Sequence, residues 1–92
     1  MKYQVEYTKM AVKQLQKMDK KITAFIVSFI EEKLVDCENP RLHGKALQGN
    51  KNDKWRYRVG DYRILAKIDD DIIVIIVVEI GHRKEIYKGR QS

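Results

Sequence analysis

Ninety-two residues with 43% hydrophobic content supply one small core and no second folding unit. Nineteen Lys and Arg against thirteen Asp and Glu leave a net charge of +6, which points to an anionic partner, either nucleic acid or an acidic protein. The single cysteine, Cys37, excludes an intrachain disulfide and, with only two histidines at irregular spacing, a conventional structural zinc site.

Residues 2 to 7 alternate, with Tyr3, Val5 and Tyr7 on one side and Lys2, Gln4 and Glu6 on the other, as in a half-buried strand. No signal-peptide core is present, and the longest apolar run, Ile72 to Val78, is far shorter than the roughly 18 residues of a membrane span, so a cytoplasmic protein is expected. Thr8 is a candidate N-cap for a short helix carrying Met10, Ala11, Leu15 and Met18. Asp19 can cap a second helix, in which Ile22, Phe25, Ile26, Phe29, Ile30 and Leu34 form a core-facing stripe. That helix must end before Asn39-Pro40, with Cys37 packing at its exit. Residues 39 to 53 read as a loop with at most a helical turn around Lys45 to Leu47.

Lys54 to Val59 and Tyr62 to Asp69 are two strands joined by Gly60-Asp61, a connection that closes a tight hairpin. Asp69 to Asp71 read as a turn, and Ile72 to Ile80 as a β-branched strand covered on both faces. The expected fold class is α+β, a single domain over residues 1–92 in the order β-α-α-β-β-β. Two N-terminal helices pack on a twisted, mainly antiparallel four-stranded sheet.

The two-residue turn sets the register: Val59 opposite Tyr62, Arg58 opposite Arg63, Tyr57 opposite Ile64, Arg56 opposite Leu65 and Lys54 opposite Lys67. One face then carries Trp55, Tyr57, Val59, Tyr62, Ile64, Ala66 and Ile68 toward the helices. The other carries Lys54, Arg56, Arg58, Arg63 and Lys67 around Leu65. Like charges directly opposite one another destabilise a sheet, and a phosphate backbone gripped by arginine forks would offset that repulsion. Beyond the last strand, Arg83, Lys84, Lys88 and Arg90 extend the positive field, and Gly81 permits a bend that would turn His82, Arg83 and Tyr87 back toward the sheet.

These groups suit metal-free RNA cleavage, in which the 2′-hydroxyl attacks the adjacent phosphate. Arg56, Arg58 and Arg63 can clamp the phosphate, Tyr87 can orient or deprotonate the hydroxyl, and His82 or Arg83 stands near the leaving oxygen. His82 has the convenient pKa and could equally brace a turn. No phosphate loop, nucleophile elbow, zinc-protease pair or EF-hand occurs, so no cofactor or metal is expected. His43 reads as a surface residue.

The run Trp55-Arg56-Tyr57-Arg58-Val59-Gly60-Asp61-Tyr62-Arg63-Ile64, followed by Ile80-Gly81-His82-Arg83-Lys84-Glu85-Ile86-Tyr87, resembles the RelE/ParE toxin superfamily, RelE branch, over essentially the whole chain. The resemblance implies the toxin of a type II toxin–antitoxin system: a ribosome-dependent endoribonuclease that cuts messenger RNA in the A site and is held inactive by an acidic cognate antitoxin. By position, Arg56 and Arg58 match the basic strand pair, where relatives often carry lysine. Arg63 matches the phosphate-contacting arginine, and Arg83 and Tyr87 match the catalytic C-terminal pair. Lys54, Lys67, Lys84 and Lys88 complete the expected phosphate-binding set, with Arg63, Arg83, Tyr87 and His82 as the catalytic set. A ParE-like gyrase poison and a non-catalytic RNA- or ribosome-binding module are the alternatives on the same scaffold.

Overall fold

Each helix begins at the expected cap. Thr8 Oγ accepts from the Ala11 amide at 3.1 Å, and Asp19 accepts from the Lys21 amide at 3.2 Å. The computed structural model describes residues 1–46 and 54–82. In chain order the elements are β1 (Gln4–Tyr7), α1 (Lys9–Lys17), α2 (Lys20–Lys33), β2 (Lys45–Ala46), β3 (Lys54–Val59), β4 (Tyr62–Asp69) and β5 (Val74–His82). They form one sheet in the spatial order β1-β5-β4-β3-β2, with β1 parallel to β5 and the other pairs antiparallel.

Among the described residues the sheet has five strands rather than the expected four. Lys45 and Ala46, expected in a loop or helical turn, pair with Arg56 and Trp55 along the outer edge of β3. Two residues are too few to show a strand period, and only the edge of β3 gives them partners.

Both helices cover one face of the sheet. Ile26 and Ile30 of α2, Leu34 at its C-cap and Ala11 of α1 are buried with Tyr57, Val59, Ile64, Ala66, Ile75, Val77 and Ile80. The α2 stripe is not all core, since Phe25 is 58% exposed at its margin; Met10 of α1 is also exposed.

The last strand differs from expectation at both ends. The turn after β4 runs on to Ile73, which takes a positive φ of 57°, so β5 starts at Val74 and leaves Ile72 exposed. At the other end Gly81 does not break the strand: it pairs with Arg63, and β5 continues to His82. Between these ends the register slips. Leu65 faces Glu79 and Ala66 faces Val77, which makes Val78 the extra residue of a β-bulge. Helix α1 satisfies the irregular backbone. Thr8 Oγ donates to the Val78 carbonyl at 2.7 Å, and the Ile80 amide donates to Gln14 Oε1 at 2.6 Å. Strict alternation from Ile75 and Val77 would send Glu79 inward, whereas the bulge buries Ile80 in the core instead.

Candidate nucleic-acid interface

The predicted hairpin register is observed at every pair, including Arg58 opposite Arg63, Arg56 opposite Leu65 and Lys54 opposite Lys67. Gly60 takes the turn with φ +60°. The sheet face away from the helices therefore carries Lys54, Arg56, Arg58, Arg63 and Lys67, and β2 adds Lys45 beside Arg56.

Burial separates these cations. Arg58 and Lys67 are exposed, Lys54 and Arg56 are half-buried, and Arg63 is 7% exposed, flanked by the buried Leu65. The Arg63 guanidinium thus sits where screening of its charge by water is weakest. Gly81, its partner on β5, places no side chain beside it. Arg56, Arg58, Arg63, Lys45 and Gly44 line a cavity of 190 Å³. This is smaller than the roughly 300–1,000 Å³ of typical small-molecule sites, which suits a phosphate group better than a whole nucleotide.

One wall of the cavity comes from the segment before β2, which the side chains of β3 pin in place. Trp55 Nε1 donates to the His43 carbonyl at 2.6 Å, and the buried Tyr57 hydroxyl donates to the Pro40 carbonyl at 2.7 Å. Burial pushes the Tyr57 pKa far up, so the hydroxyl stays a donor. Further back, Arg41 grips Asp70 through two bonds of 3.1 and 3.0 Å, and Tyr3 donates to Asp70 Oδ1 at 2.6 Å. Hydrogen bonds from Arg41 and then Tyr3 hold the Asp70 carboxyl below its usual range. Asp69 Oδ1 accepts from the amides of Asp71 and Ile72, so the acidic triplet builds the turn as the sequence suggested. Cys37 packs against the core, and its burial raises the thiol pKa.

His82 is placed away from this cavity. Its ring meets Tyr62 edge-on at 5.4 Å, and Tyr62 packs toward the helices, on the opposite side of the sheet from Arg63. Arg83, Lys84, Tyr87 and Lys88 lie outside the described residues, as does Arg90. The chain up to His82 thus assembles a basic cavity, with Lys45 as the lining residue that sequence periodicity missed. The only sequence signal for it was a lysine after Gly44, in a segment too short to show alternation.

The family model that matches the chain, over residues 5–87, is described as the ParE toxin of the type II toxin–antitoxin system parDE. Toxin RelG of Mycobacterium tuberculosis is 32% identical over 88 residues, covering 96% of this chain and 99% of the relative. Toxin RelE of the same organism is 33% identical over 86 residues, covering 94% and 87%. Among solved structures, the toxin–antitoxin complex RelBE2 from M. tuberculosis contains a chain that superposes with a TM-score of 0.80 at 30% identity, covering 90% of this chain and 93% of that one. A free arginine mutant of Escherichia coli toxin RelE shares the fold, with a TM-score of 0.74 at 23% identity and coverage of 96% and 93%.

Proposed function

Because the chain belongs to the RelE/ParE toxin superfamily of type II toxin–antitoxin systems, we propose that it is the RNA-cleaving kind of toxin. It would act as a metal-independent endoribonuclease on messenger RNA in the ribosomal A site and be restrained by an acidic cognate antitoxin. The observation that carries this reading is the cavity in which the buried Arg63 meets Arg56 and Arg58 on one face of the sheet. In the cleavage step the RNA 2′-hydroxyl loses its proton and attacks the neighbouring phosphorus. The P–O5′ bond breaks, the 5′-oxygen takes up a proton, and a 2′,3′-cyclic phosphate is left. Negative charge builds on the non-bridging oxygens in the pentavalent state, and fixed guanidinium groups stabilise it without reorganising. Proton transfer falls to Tyr87 and Arg83, by their match to the family's C-terminal pair. With His82 packed on Tyr62, its contribution is to brace the strand end from which that pair departs.

The antitoxin partner draws support from the RelBE2 complex, whose toxin chain this protein resembles, and from the +6 charge, which suits an acidic chain laid over the basic face. The matching family model, described as ParE, favours a second reading, a gyrase poison that acts by protein contact. One assay separates the two. Programmed ribosomes should yield cut message with the wild type and at least about a hundredfold less with Arg63→Ala, the loss typical of one transition-state donor. Intact message together with accumulating gyrase-linked DNA breaks would establish the second reading instead.

A further inference from the structure

The cavity lined by Arg56, Arg58 and Arg63 has a fourth cation from outside the hairpin. Lys45 faces Arg56 in the β2–β3 register, and directly opposite residues share a face of the sheet. Its backbone is held close to β3. Gly44 has φ +79°, and a Cβ there would collide with the Arg56 carbonyl oxygen, come within 2.8 Å of Trp55 Nε1 and within 2.9 Å of Tyr57 Cδ1. No other residue fits between the pinned His43 and the paired Lys45. The indole bond to His43 and the Tyr57 bond to Pro40 fix the approach from the N-terminal side.

Sequence and structure thus place an ammonium opposite a guanidinium in the lining of a cavity sized for phosphate. Strands lie about 4.8 Å apart, so Lys45 extends the clamp across three strands and roughly 10 Å. That span is longer than one phosphate placed at Arg63 would need. We propose that Lys45 is a further phosphate-binding residue of the RNA site and that Trp55, through its indole bond to the His43 carbonyl, is the positioning residue for it. This inference rests on the RNA reading above.

The test measures binding of the full chain to a short single-stranded RNA, 2′-O-methylated so that it cannot be cut, as a function of salt. Each phosphate contact contributes about 0.7 to the slope of log affinity against log salt. Lys45→Ala should flatten the slope by about 0.7 and weaken binding roughly two- to fivefold at low salt, the range of one exposed ion pair. Lys45→Arg should retain the slope, and Lys20→Ala, an equal charge loss on the helix layer, should leave it unchanged. Trp55→Phe should reproduce part of the loss, and Lys45→Ala should cost less in that background than alone. Tyr57→Phe, which removes the other pin, is a parallel probe should Trp55→Phe unfold.

An unchanged slope in Lys45→Ala, beside a flattened one in Arg63→Ala, would overturn the assignment of Lys45 and leave the RNA reading standing. Full additivity of the Trp55 and Lys45 losses would overturn the positioning role. If Lys45→Ala weakened an oligoglutamate peptide but not RNA, the residue would belong to a protein interface instead. Salt-independent behaviour of the wild type would overturn both this inference and the RNA reading.

Discussion

The two faces of the β3–β4 hairpin come from alternate residues of the same two strands, yet different physics holds each in place. Toward the helices, Tyr57, Val59, Ile64 and Ala66 are buried with Ile26, Ile30 and Leu34, and removing apolar surface from water stabilises the fold by about 25 cal/mol per Å². On the other face, Arg58 opposes Arg63, Lys54 opposes Lys67 and Lys45 opposes Arg56, three like-charge pairs that burden the free protein. The helix face supplies the stability that lets the basic face carry this repulsion, and a bound anion would offset it beyond what Glu79, opposite Leu65 on the same face, provides. Stability and binding should therefore be separable by substitution.

The largest effect is expected at Ile30, which is fully buried: Ile30→Ala should lower unfolding stability by about 2–5 kcal/mol. Denaturant melts would show this, while RNA affinity below the melting transition stays at the wild-type level. A matching loss of affinity would break the separation. Next comes Arg63→Ala, for which cleavage on programmed ribosomes should fall about 10²- to 10³-fold, the range for one transition-state donor. Its melting temperature should move far less than that of Ile30→Ala.

Gly44→Ala tests the seam between the two faces. The left-handed backbone costs an alanine about 1–2 kcal/mol, and the collision with Arg56 adds to it. Since Trp55 is the only tryptophan and bonds to the adjacent His43, its fluorescence should shift with the displaced segment. Arg58→Thr should act in opposite directions on the two properties. Relief of the Arg58–Arg63 repulsion should raise stability by about 0.2–1 kcal/mol, while RNA binding weakens and its salt slope flattens. A destabilised Arg58→Thr would show that the basic face supports itself without an anion.

The smallest effect concerns the Arg41–Asp70–Tyr3 cluster behind the pocket wall. The Asp70 pKa is depressed, first by the Arg41 hydrogen bonds and then by Tyr3. Its stabilisation is thus present above the ordinary aspartate value and lost as pH falls through the depressed one. The Tyr3 pKa is raised, chiefly by its bond to Asp70, so its share is present below the ordinary tyrosine value and lost as pH rises through the raised one. Melting temperature followed against pH should fall slightly at both extremes in the wild type. Asp70→Asn should remove the acid-side contribution.

Sequence alone determined whatever depends on short, strong periodicities. A 3.6-residue apolar repeat admits one helix face, so Ile26, Ile30 and Leu34 were legible as core. A two-residue turn admits one register, so the meeting of Arg58 with Arg63 was legible in the chain itself. The caps at Thr8 and Asp19 were readable because a side-chain oxygen beside an amphipathic run has one local use. Tertiary structure alone decided what depends on distant partners. Lys45 and Ala46 become a strand only because β3 offers an edge and Trp55 and Tyr57 reach back to pin the segment before them. The Val78 bulge exists because Thr8 and Gln14, more than sixty residues earlier, satisfy its backbone. His82 turns to Tyr62 because β5 runs straight through Gly81 opposite Arg63 rather than bending there. A lone residue between strand and loop carries no period, so its side is set by whichever distant group completes its hydrogen bonds and packing.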